Sequence, residues 1–240
     1  MELSGPEETL ALLSELSPAL ITVLESAADL QARIPDTVLV GGSAAAMYAG
    51  HRASYDHDHV LKDLRDRHEA ILDALDADPK WVLNRSVPGK IILGELGDIE
   101  TGLRQLIRKV PLEVNQVELP SGKILTVPTE AETLRVKAYL IVKRNQVRDY
   151  LDVAALAYRY STDFAADALV NIDRYYSDPR KDGTPVADQL ILQLSAPQPK
   201  DHKIIKQLPK YKDIARKWHK WSTVEAVTKE VATKMLEKSL

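Results

Sequence analysis

The chain has 240 residues, 45% of them hydrophobic and 28% charged, enough apolar material for a sizeable core and too much for a disordered chain. It contains no cysteine, which excludes a disulfide framework, thiolate-held zinc, iron–sulfur clusters and thiol catalysis. The net charge of −3 conceals an asymmetry, because residues 200–240 carry +6 and the rest −9; an acidic body with a basic tail fits a polyanionic partner.

Leucines spaced at helical intervals predict a helix over residues 6–33, with Pro18 kinking or splitting it. Thr37-Val38-Leu39-Val40 reads as a short strand that runs through Gly41-Gly42-Ser43 into an alanine-rich helix, 44–49, ended by Gly50. A second strand is expected over 55–61, a helix over 65–77, and further strands over 81–85, 90–96, 99–106, 112–119 and 123–127. Thr129 with Glu132 has the spacing of a capping box. From there the period is helical to about Tyr160, and helices over 164–176 and 186–195 follow. Residues 195–200 read as a linker, and a last helix starts at Ser222 with Glu225 again in capping-box position. The division is a mixed strand–helix domain, 1–128, and a helical domain, 129–240. The acidic start is unlike a signal peptide, and charge interrupts every apolar stretch well before ~18 residues, so a cytoplasmic protein with no membrane partner is expected.

Two groups of residues carry chemistry. Gly41-Gly42-Ser43 between strand and helix allows close backbone approach, and the helix N-terminus offers free N–H groups and a positive dipole end, so Gly41, Gly42 and Ser43 make a candidate phosphate seat. On the next strand, alternation puts Asp56 and Asp58 on one face and His57 and His59 on the other. Two carboxylates ~6–7 Å apart on one face repel unless a cation sits between them. Beside a phosphate seat they suit Mg²⁺ (or Mn²⁺) and metal-assisted phosphoryl or nucleotidyl transfer. A solvated edge strand and a histidine-ligated metal are the competing readings of the tetrapeptide.

Val38-Leu39-Val40-Gly41-Gly42-Ser43, then His51-Arg52-Ala53-Ser54, then Asp56-His57-Asp58 resembles the opening motif of nucleotidyltransferase-fold proteins, most closely the AbiEii/AbiGii toxin group. The likeness continues through Val127-Pro128-Thr129, Lys137 and Arg148-Asp149-Tyr150-Leu151-Asp152, and covers about residues 37–160. It implies an α/β (α+β) nucleotidyltransferase-type mixed sheet with flanking helices and a helical C-terminal half. It also implies Mg-dependent transfer of a nucleoside monophosphate from an NTP, with Arg52 and Lys137 toward the phosphates and Asp149 orienting or deprotonating the acceptor. A toxin of a toxin–antitoxin pair follows from the likeness, with tRNA as acceptor and a separate antitoxin as partner. Read from the residues alone, Lys137 is a lysine fixed on a rigid helix or a snorkelling one, and Arg148 is placed to pair with Asp149 or Asp152.

The pattern departs from the family at one point. A third carboxylate, metal ligand or base, commonly comes from a later strand; here it falls near Gly102. Glu100 from one pleat away, Glu113, or Asp149 are the possible replacements, and a silent nucleotide-binding or interaction protein is the alternative, as is transfer to a small molecule or a protein hydroxyl. In the tail, Lys203, Lys206, Lys210, Lys212, Arg216, Lys217 and Lys220 alternate with Tyr211, Trp218 and Trp221. That pattern suits a nucleic-acid backbone with stacked bases and, compatibly, an amphipathic helix pair packing its tryptophans inward.

Overall fold

A computed structural model of the chain describes residues 6–108, 110–178 and 181–239. The N-terminal leucine stripe forms two helices, α1 (Pro6–Ser14) and α2 (Pro18–Arg33). Pro18 splits them: without an N–H it cannot continue α1, and it takes the first turn of α2, which Ser17 caps by accepting from the Leu20 amide.

β1 (Val38–Val40) leads straight into α3 (Gly41–Ala49), which therefore starts at the glycines and closes at left-handed Gly50. β2 (Asp56–Leu61), α4 (Leu64–Asp76), β3 (Trp81–Val87), β4 (Ile91–Leu96) and β5 (Ile99–Gln105) follow. These strands form a mixed α/β sheet in the order β1-β2-β5-β4-β3, with β2 and β5 parallel and the other neighbours antiparallel. β6 (Val114–Glu118) and β7 (Ile124–Pro128) pair separately. The Gln31 side chain of α2 satisfies the Thr126 backbone, donating to its carbonyl at 2.8 Å and accepting from its amide at 2.7 Å.

The sheet is one-sided. Alternation sends Leu61, Ile92 and Leu103 to one face, where they pack against Leu30, Leu64, Ile71 and Leu75 of α2 and α4. Asp56, Asp58, Gly102 and Arg104 go to the other face, which lines a cleft.

The C-terminal half holds α5 (Glu130–Arg144), α6 (Val147–Tyr160), α7 (Thr162–Leu169), α8 (Val186–Ser195) and α9 (Trp221–Ser239). Asn145 separates α5 from α6 in the left-handed conformation, φ 54°. The helix expected to reach residue 176 stops at Leu169 and ends in a 3₁₀ turn, Ile172–Arg174. The reason is Asp173, whose carboxylate accepts from the Val186 and Ala187 amides at the start of α8. Thr129 caps α5 as expected, but the Glu132 carboxylate does not complete the box: it is buried and takes both Nη atoms of Arg108 at 2.6 and 2.7 Å.

One hydrophobic cluster runs from Leu24, Met47 and Leu125 through Leu134 and Leu151 to Val231 and Met235. The boundary at residue 128 therefore marks the last strand, not a gap in packing. Two 3₁₀ segments, His202–Lys210 and Arg216–His219, precede α9, which starts at Trp221, one residue before Ser222. Trp218 lies edge-on to Tyr158 and Trp221 edge-on to Tyr150, each at 6.0 Å between ring centroids. Trp218 is buried and Trp221 partly so, so the tail tryptophans pack onto α6 instead of standing free to stack on bases. Among the described residues no helix is long and apolar enough to cross a membrane.

Candidate active site

A cleft of about 770 Å³ is lined by the open sheet face, the Gly41-Gly42 turn and one side of α5. Among the described residues its walls carry eight lysines and arginines against three carboxylates, Asp56, Asp58 and Glu100. The field inside favours a polyanion.

Asp56 and Asp58 both face this cleft, their side chains 35% and 31% exposed. Asp56 Oδ1 accepts from Ser54 Oγ at 3.2 Å and meets Lys212 Nζ at 3.4 Å. Burial pushes the Asp56 carboxyl up, but Lys212, Ser54 and Arg52 outweigh it and hold it below its ordinary value. Asp58 Oδ1 meets Arg104 Nε at 3.4 Å.

The backbone on both sides of Asp58 is glycine for a steric reason. In the parallel β2–β5 register Asp58 lies beside Gly102 and Asp56 beside Glu100. A Cβ on Gly102 would lie 2.3 Å from Asp58 Oδ1. On the other flank Gly41 has φ +80°, and its Cβ position is 3.4 Å from Asp58 Oδ2. The missing third carboxylate is thus the space that the Asp58 carboxylate fills. α3 has no side-chain cap, so its first amides, at Gly41 and Gly42, open on the cleft.

Several expected site residues take other places. The Ser43 hydroxyl is buried and donates to the Asp56 backbone carbonyl, which ties the start of α3 to β2. Asp149 is buried outside the cleft lining and is held bidentately by Arg144, with both contacts at 2.7 Å. Arg148 lines the cleft but pairs with neither aspartate; its Nε donates to Gln146 Oε1 at 3.2 Å. Glu113 bonds Arg135 at 2.9 Å and lies outside the cleft lining. Glu100 lines the cleft, but among the described residues no three His, Asp or Glu side chains are grouped to hold one metal ion.

Asp152, fully buried, is the residue whose part the sequence did not reveal. It accepts from His51 Nε2 at 2.8 Å, from Arg52 Nε at 2.9 Å and Nη2 at 3.1 Å, and pairs with Lys137 Nζ at 2.6 Å. Burial drives its carboxyl up, yet Arg52, Lys137 and His51 overcome this and hold it well below the usual carboxylate range. The same burial lowers His51, against the pull of Asp152. Arg52 and Lys137 line the cleft with their charges half-neutralised by one carboxylate, which leaves a net positive charge behind the glycine turn. The signal for this network was the His51-Arg52 pair itself, whose two donors need a common buried acceptor.

On the packed face, His57 Nδ1 contacts His59 Nε2 at 3.1 Å, and His57 Nε2 lies 3.2 Å from both Ser26 Oγ and Thr101 Oγ1. Burial lowers His57 to about 4 and, with the neighbouring His57, lowers His59 well below its usual value. The unfolded chain therefore binds more protons than the fold between about pH 6.5 and 4. Stability is complete above pH 6.5 and falls as the pH drops through that window, by up to about 1.4 kcal/mol per pH unit for His57 alone. Thermal melts from pH 7 to 4 check this: His57→Gln is expected to flatten the slope, and an unchanged slope would show that His57 titrates normally in the fold.

No family model matches the chain. Over 132 residues, 55% of the chain, it is 39% identical to the heme uptake protein MmpL11 of Mycobacterium tuberculosis. It has the same identity over 133 residues to the mycolic acid-containing lipids exporter MmpL11 of Mycolicibacterium smegmatis. The chain spans 13% of the length of each of these relatives. Among solved structures it is similar to an antigenic nucleotidyltransferase-like protein from Paracoccidioides brasiliensis, with a TM-score of 0.48 and 15% identity over 85% of this chain and 98% of that one. It is also similar to the antibiotic-resistance factor ANT(2'')-Ia, with a TM-score of 0.45 and 11% identity over 62% of this chain and 88% of that one.

Proposed function

We propose that the chain is a nucleotidyltransferase that moves a nucleoside monophosphate from an NTP to an acceptor hydroxyl and releases pyrophosphate. One observation carries this reading: Asp56 and Asp58 stand on one sheet face, beside uncapped glycine amides, in a cleft dominated by cations. The donor set fits Mg²⁺ or Mn²⁺, hard ions that bind through one or two carboxylates with substrate phosphates completing the shell. When bound, such an ion supplies Lewis-acid polarisation of the α-phosphate and shields the triphosphate charge.

The chain's own groups do the rest. The Gly41 and Gly42 amides receive phosphate oxygens with the α3 dipole behind them. Lys137 and Arg52, fixed by Asp152, contribute a positive floor that needs no reorganisation as charge develops. The acceptor oxygen attacks the α-phosphorus and the bond to the β-phosphate oxygen breaks. Glu100, across from Asp56, is the carboxylate within the cleft left to receive the acceptor proton.

Within this reading the acceptor is an RNA, such as tRNA, drawn by the basic tail and the cleft cations. The biological setting is the cytoplasm, with the chain as a toxin held by a separate antitoxin. The test is transfer of α-labelled NTPs to RNA with Mg²⁺ or Mn²⁺. The wild-type chain is expected to label RNA, and Asp58→Asn is expected to lower the rate at least about 10²-fold. Equal labelling by wild type and Asp58→Asn would sink the reading. Label on a small molecule or protein instead would reassign the acceptor.

A further inference from the structure

The segment from Tyr211 to Ala215 crosses over the His51–Tyr55 loop and is tied down along its length. The Ala53 amide donates to the Lys212 carbonyl at 2.8 Å, and the Ala215 amide donates to the His51 carbonyl at 2.9 Å. Tyr55 Oη donates to Asp213 Oδ2 at 2.6 Å. Lys212 and Asp213 are consecutive non-glycine residues in the left-handed region, φ 43° and 49°. One such residue is uncommon and two in succession are held only where surrounding contacts enforce them. The effect is to aim the Lys212 ammonium into the cleft, 3.4 Å from Asp56 Oδ1. Both partners are about one-third exposed, so the pair is weak enough to exchange with a competing cation.

We infer that this strap makes Lys212 a positioning residue that occupies Asp56 in place of the divalent cation and yields when the ion binds, so that Lys212 sets how tightly the site takes a metal. The inference rests on the nucleotidyl-transfer reading for the presence of a metal at Asp56 and Asp58. In the free protein the Lys212 ammonium sits against the Asp56 carboxylate, 3.4 Å from Oδ1. An ion held by Asp56 would displace the ammonium, which would remain a cation of the cleft wall.

Calorimetric titration of the full chain with Mn²⁺ tests this without any turnover. Lys212→Met is expected to tighten Mn²⁺ binding about threefold, the scale of a partly exposed ion pair, and Lys212→Arg to leave it near wild type. Lys143→Met removes another cleft cation; it is expected to tighten binding less. Tyr55→Phe, which loosens the strap without touching the aspartates, is expected to move affinity in the same direction as Lys212→Met, and it stands in for that variant if Lys212→Met does not fold. Asp58→Asn is the control for the metal reading: it is expected to abolish binding. Binding that depends on Asp58 but is unchanged or weakened in Lys212→Met overturns the role of Lys212 and leaves the metal site standing. Equal tightening by Lys143→Met reduces the effect to the general field of the cleft and overturns it too. Binding that survives Asp58→Asn removes the metal reading itself, and the inference with it.

Discussion

Asp152→Asn is expected to lower the melting temperature by roughly 10 °C, with complete loss of nucleotidyl transfer. Asp152 is fully buried and holds Arg52 and Lys137, both almost fully buried themselves. Removing one partner of such a group strands the others as uncompensated buried charges, at about 3–5 kcal/mol. In a chain of this size each kcal/mol shifts the midpoint by about 2–4 °C. Asparagine keeps the shape and one acceptor, so packing loss is excluded as the cause. A double-mutant cycle separates the pairs: Lys137→Met in the Asp152→Asn background is expected to cost far less than Lys137→Met alone. A midpoint within about 2 °C of wild type for Asp152→Asn would mean that water reaches these cations.

Gly102→Ala is the second large effect, and it is expected to separate function from fold. The added Cβ would meet Asp58 Oδ1 at 2.3 Å and Leu93 Cδ2 at 3.2 Å. The Asp58 carboxylate must turn aside from its present position. Overpacking of this kind costs about 1–3 kcal/mol, which a chain with this core survives. On the proposed reading, displacing the Asp58 carboxylate is expected to weaken Mn²⁺ binding at least about tenfold and transfer in proportion. Gly102→Asp, which restores a carboxylate at the usual place, is expected to be at least as damaging, because its first atom meets the same obstacle. Normal Mn²⁺ affinity in Gly102→Ala would show that Asp58 does not need its present position.

Much of this was readable along the chain wherever the determinants are local. Strict alternation in Asp56-His57-Asp58-His59 sorts acids from histidines without any tertiary knowledge, and the structure places them on opposite faces. The Gly41-Gly42 turn and the Thr129 cap are likewise short-range chemistry. The pairing of charges was not readable, because it depends on which of several carboxylates meets a partner about a hundred residues away. Asp149 and Asp152 are three residues apart on one helix, yet one is turned to Arg144 and the other to the His51-Arg52 loop. Arg148, the obvious neighbour in sequence, pairs with neither. Lys212 looked like one basic residue among several in a tail, and only the crossing of residues 211–215 over the 51–55 loop brings it to Asp56. The Glu132 box failed in the same way, since a buried arginine from residue 108 competes more strongly for its carboxylate than a backbone amide does.

The meeting point at Asp152 gathers side chains from the loop after α3, from α5 and from α6. The charge cluster behind the glycine turn therefore depends on helix docking more than on the sheet beneath it. Were α6 to lift away, even briefly, the guanidinium and ammonium groups would lose their shared anchor, and the reactive pocket would come apart while every strand stayed paired. The charge cluster and the helical layer share one hinge pin, so that durability of the fold and durability of the cleft need not be the same quantity.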